Sequence, residues 1–129
     1  MSTNFRPTQA AIPLASILAL VATGGGIQSL LNPVGFSSTI GVPVTSTNSP
    51  AIPFIRFAGA RNLSNGVGIA ALLYFGQRRA AGIAILAGTI TSYADAWICY
   101  KHASDGGSAI GHAVVGLLVA AVGCGLYWG

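Results

Sequence analysis

Three residues of unlike chemistry stand out from an otherwise apolar chain: Arg61, Asp95 and His112. A guanidinium is a permanent cation with five N–H donors, a carboxyl group holds or gives a proton, and an imidazole relays one near neutral pH. Together they suit acid–base chemistry that needs no cofactor, such as isomerisation, cyclisation or epoxide opening. In that scheme Asp95 is the general acid or base. Arg61 holds it or binds a substrate oxygen, and His112 passes the proton on. Burial and a neighbouring arginine act on a carboxyl in opposite senses, which suits a tunable group. The plainer alternative is a buried Arg61–Asp95 pair that fixes helix register and does nothing else.

Neighbouring residues extend the cluster. Asn65 lies one helical turn from Arg61, with Asn62 and Ser64 adjacent. Thr91 and Ser92 lie one turn before Asp95, Tyr93 is close by, and Cys99 lies one turn after it. Arg56, Tyr100, Lys101, His102 and Asp105 are expected to line the mouth above. Asn65, Tyr93, Ser92, Asn62 and Arg56 are the candidate substrate contacts. No metal spacing accompanies His112, Asp95 and Cys99, so zinc and haem are not expected. Gly24-Gly25-Gly26 lacks the strand and lysine of a phosphate loop. Neither Ser92 nor Ser108 sits in an elbow motif that would pair it with His112. Asn62-Leu63-Ser64 reads as a chance sequon inside a helix. No nucleotide, nicotinamide or flavin site is evident.

The elements that position these residues follow from composition. Of 129 residues, 53% are hydrophobic and 6% charged, and the mean hydropathy is +0.70. A soluble surface cannot be covered with so few charges, and a disordered chain needs more polarity. Lipid is the solvent that fits. The 18 glycines agree, because small residues let helices approach closely where no hydrophobic drive joins them. The expected fold is all-α, an integral membrane bundle of four transmembrane helices over residues 8–31, 53–76, 80–102 and 108–128, in one domain. The first span runs too long for a signal peptide and lacks a cleavage site. Residues 32–52 are chargeless and rich in Ser, Thr, Pro and Gly. They read as a loop, either a simple linker or a cap folded over the bundle. Cys99 and Cys124 fall toward opposite faces, so no disulfide is expected.

Depth is the strongest pointer to function. Counting along alternating spans places Arg61 about 12 Å in, Asp95 about 8–12 Å and His112 about 6–8 Å from one face. The half toward Arg78 is nearly all Ala, Leu, Ile, Val and Gly. The formal net charge of +4 has no basic run behind it, so nucleic acid is not an expected partner. Arg6 and Arg78-Arg79 on one side, against Lys101 on the other, favour both termini in the cytosol.

From Phe57 to His112 the outline is Phe-Ala-Gly-Ala-Arg61-Asn-Leu-Ser-Asn-Gly66, the Gly76-Gln-Arg-Arg-Ala80 turn, a late Asp95 and an early His112. This resembles the fungal small membrane proteins of domain-of-unknown-function family 4267. Many relatives carry an acidic residue where this chain has Asn62. The resemblance implies a fungal four-span protein and, through some relatives, a link to secondary-metabolite pathways. The expected function is a membrane-embedded enzyme of the isomerase or cyclase type, multi-pass in the endoplasmic reticulum. Its expected ligand is a hydrophobic small molecule or lipid, such as a terpenoid or polyketide intermediate. The alternatives are a non-catalytic scaffold, carrier or assembly subunit, and a transporter, which would have to form a homo-oligomer.

Overall fold

A computed structural model describes residues 7–103 and 106–129, so Arg6 and Asp105 lie outside the described residues. The helices are α1 (Pro7–Leu31), α2 (Pro33–Thr39), α3 (Ile52–Tyr74), α4 (Arg78–His102) and α5 (Gly106–Trp128), with no strand among the described residues. Three stretches, Thr8–Leu31, Arg78–His102 and Gly106–Trp128, are long and apolar enough to cross a membrane. Their outward faces carry Leu20, Ile90, Ile110 and Leu117, all exposed. This is consistent with a membrane protein. The expected set of four spans is therefore met for three. Helix α3 has 23 residues, about 35 Å, but Arg56, Arg61, Asn62 and Asn65 lower its hydropathy.

Two boundaries differ from the sequence expectation. Arg78 and Arg79 form the first turn of α4, and the reversal is confined to Phe75, Gly76 and Gln77. Gly76 takes φ +71°, the left-handed value that ends a helix sharply. Residues 32–52 are not all loop. Asn32 caps α2, its Oδ1 accepting from the Gly35 N–H at 3.0 Å, and Pro33 fits the first helical turn.

The long helices form two tight pairs, α1 with α3 and α4 with α5, joined by a lesser α1–α5 contact. Glycines set the first interface: a Cβ at Gly26 would lie 2.5 Å from Leu63 N, and one at Gly66 would lie 2.6 Å from Ala19 O. At the second, a Cβ at Gly82 would meet Gly123 O at 2.9 Å. Helix backbones this close gain dispersion contacts without needing a hydrophobic drive. Ala11, Ala15, Ala81, Ile85, Val122 and Leu126 form the buried core, with Leu72 and Leu73 packed against it. This core joins all four long helices at the end holding the α3–α4 turn. Thr8 and Gly129 lie side by side there, so the ends of α1 and α5 share one side. Consecutive α3 and α4 touch far less than either tight pair does.

Candidate functional site

Arg61, Asp95 and His112 lie toward the end of the bundle away from the α3–α4 turn. Arg61 Nη2 on α3 lies 3.8 Å from Asp95 Oδ2 on α4, with side chains 45% and 35% exposed. That separation exceeds a hydrogen bond, so the pair is an ion pair with donors to spare. Asp95 also lies within electrostatic reach of His112 on α5. The three residues thus come from three helices to one level. His112 Nε2 is 3.5 Å from the Ile40 carbonyl oxygen, and Cys99 Sγ donates to the same oxygen at 3.4 Å. Cys99 is 4% exposed.

Ile40 reaches this place because residues 32–44 fold into a cap. Phe36 and Ser37 are buried, and the Phe36 ring packs beside Gly25 of α1. Ser37 Oγ donates to Val34 O at 2.7 Å and accepts from Val44 N at 2.9 Å. Gly41 has φ +84°, and any Cβ there would collide with the Ser108 side chain. Both conditions demand glycine. Gly41→Val should therefore lift the cap from α4 and α5. Alkylation of Cys99 by monobromobimane, measured in a Cys124→Ala background, should accelerate at least tenfold. An unchanged rate would mean the cap does not shield the thiol.

Other sequence-predicted contacts separate from this cluster. Tyr93 sits about 200° around α4 from Asp95, and its ring packs against Gly116 of α5. Ser92 Oγ is turned to Gly88 O at 3.2 Å, and its Cβ also faces Gly116. Arg56 lies about 140° around α3 from Arg61. It lines a shallow outer groove of about 380 Å³ with Ile52, Pro53, Phe57 and Ala60, rather than the mouth of the cluster. Lys101 Nζ stacks 4.9 Å from the Trp97 ring centre and 5.6 Å from that of Tyr100, on the outer surface of α4. Asn65 remains on the Arg61 face and exposed, and Asn62 is half-buried beside it.

Sequence reasoning missed two groups. The Ile40 carbonyl carries no side-chain signal at all. Thr89 Oγ1, below Asp95 on α4, is buried without a hydrogen-bond partner, a cost usually met by some acceptor. Among the described residues, no three His, Cys, Asp or Glu side chains gather as a metal site.

The arrangement offers an Arg61–Asp95 ion pair with an imidazole in its electrostatic neighbourhood, and the cap's Ile40 oxygen sits on that imidazole and on Cys99. No curated protein and no solved structure matches the chain. A family model described as Domain of unknown function (DUF4267) matches residues 19–126, which include α2, α3, α4 and all three charged residues, and the chain belongs to that family.

Proposed function

We propose that the chain is a multi-pass membrane enzyme that carries out cofactor-independent acid–base chemistry on a hydrophobic intermediate. The observation that carries this reading is the Arg61–Asp95 ion pair, with His112 of α5 held beside the Ile40 oxygen in the same end of the bundle. Asp95 exchanges a proton with the substrate, His112 passes that proton on, and Arg61 steadies the developing oxygen charge. Isomerisation or cyclisation leaves the molecular mass unchanged, and hydrolytic epoxide opening adds one water. In this reading α3 crosses the bilayer with the other three long helices, and its Arg61 is paired with Asp95 of α4, as intramembrane charges usually are. Both termini are cytosolic, and the membrane is that of the endoplasmic reticulum. The family resemblance extends the proposal to a fungal host and a secondary-metabolite pathway.

The test compares organic extracts of cells expressing wild-type protein, Asp95→Asn protein at equal abundance, or neither. Wild type should give a new species isomeric with, or one water heavier than, a depleted one. Asp95→Asn should lose it by about 10²–10⁴-fold. Identical extracts from wild-type and Asp95→Asn cells would defeat the assignment.

A second reading takes support from the ion pair itself. Arg61 and Asp95 bridge the sparsest helix interface, so a scaffold or assembly subunit would use the pair to set the α3–α4 angle. On that reading, exchanging the two charges preserves function.

A further inference from the structure

We infer that the exposed Arg61–Asn65 face of α3 is the interface between two copies of this chain, packed about a twofold axis along the membrane normal. The inference rests on the reading that α3 crosses the bilayer, and it adds the partner and what that partner gives to the site.

The face is polar at a depth that lipid cannot serve. Arg61, Ser64, Asn65 and Gly68 fall within an arc of about 100° on α3, and all four are exposed. Asn65 stands about 20 Å along the axis from Ile52 and about 14 Å from Tyr74, near the middle of the helix. Its side chain makes no hydrogen bond among the described residues. An arginine stem is long enough to carry its charge toward the headgroups. An asparagine side chain at this depth has no such reach. Acyl chains neither donate nor accept, so an amide turned to them forfeits the hydrogen bonds it would make in water.

A second copy satisfies this face because the face is complementary to itself. A carboxamide both donates and accepts. An axis along the membrane normal brings the two Asn65 side chains to one depth, where each amide gives one hydrogen bond and takes one. The charges complement each other in the same way. The Arg61 guanidinium has five N–H donors, and its own carboxylate neighbour stands 3.8 Å away, beyond hydrogen-bonding distance. The Asp95 side chain is itself 35% exposed. Across the axis Arg61 lies between its own Asp95 and Asp95 of the partner subunit, so two cations and two anions alternate. Gly68 permits the approach. A Cβ there would meet nothing within 4 Å, so the backbone is bare on the side the partner takes, as at close crossings of membrane helices. The partner copy thus adds a carboxylate to a site that is incomplete in one chain.

The test uses the full chain with Cys99→Ala and Cys124→Ala, given one new cysteine at a time and oxidised with copper phenanthroline in phosphatidylcholine liposomes. Asn65→Cys and Gly68→Cys should each give a disulfide-linked dimer. Ala70→Cys, exposed but about 140° around the helix from Asn65, should stay monomeric. Resonance energy transfer between labelled copies gives a second readout. Asn65→Leu should weaken association at least fivefold with helix content retained, and Asn65→Gln should keep most of it. Equal crosslinking from Ala70→Cys, or association unchanged in Asn65→Leu, would overturn the interface. An impermeant maleimide on Ser46→Cys and Gln77→Cys reports whether α3 crosses. Labelling from opposite sides by a protein that stays monomeric would sink the interface alone. Labelling of both from one side would sink the transmembrane α3 and the interface with it. Dimers without turnover would leave the interface standing and remove only the enzyme.

Discussion

Gly66→Leu should prevent the chain from folding, whereas Gly68→Leu, two residues along the same helix, should leave it folded. A Cβ at Gly66 would stand 2.6 Å from Ala19 O and 2.7 Å from Thr23 N, and it would also press on Thr23 Oγ1. Two of those neighbours are backbone atoms of α1, so no rotamer change relieves the clash. Helix α1 must move outward instead, and the α1–α3 pairing is lost along with it. Overpacking typically costs about 1–3 kcal/mol and more where backbone must move, a large part of the stability of a small domain. At Gly68 the added side chain enters open space. The measurement is helix content and monodispersity after detergent extraction, followed by the thermal midpoint. Gly66→Leu protein should aggregate or show a midpoint many degrees lower, and Gly68→Leu protein should stay within a few degrees of wild type. Equal midpoints would mean that the α1–α3 contact is looser than its glycines imply.

The contrast between these two glycines also marks what the sequence can convey. Composition requires helices in an apolar solvent, and the ends of α1, α4 and α5 fall within about two residues of where hydropathy and turn chemistry place them. Counting residues along alternating helices brings Arg61, Asp95 and His112 to one level, because rise per residue is a constant of the helix. Facing direction is equally periodic. The 200° between Asp95 and Tyr93 and the 140° between Arg61 and Arg56, both approximate, assign Tyr93 and Arg56 to other faces without any structure. Proximity in sequence alone had grouped them. Which helices pair is not periodic information. Gly66 and Gly68 are the same letter, and only the position of α1 gives them opposite duties. The cap is illegible for a similar reason. Its contact with Cys99 and His112 runs through the backbone oxygen of Ile40, and any residue type supplies one. Gly41 is the partial exception, since its positive φ and the nearness of Ser108 require glycine.

Removing Arg61 and Asp95 together should cost the fold little and the chemistry nearly everything. Each side chain is partly exposed and the pair is 3.8 Å apart, so their coupling in a double-mutant cycle should be about 1 kcal/mol or less. Arg61→Ala and Asp95→Ala should each destabilise modestly, and the double variant should lie close to their sum. The cycle is read from unfolding of purified protein by increasing SDS. Turnover should behave differently. Each single change should lower it by about two to four orders of magnitude. The double should be no worse than the poorer single, because groups acting on one transition state fail together. Arg61→Asp combined with Asp95→Arg discriminates the two readings. The exchanged pair can still set the helix angle, but it moves the carboxyl from α4 to α3, away from His112 and the capped interior. A stable, inactive exchange variant would assign the pair to chemistry. An exchange variant with wild-type activity would assign it to architecture, leaving His112 as the remaining proton carrier beneath the cap.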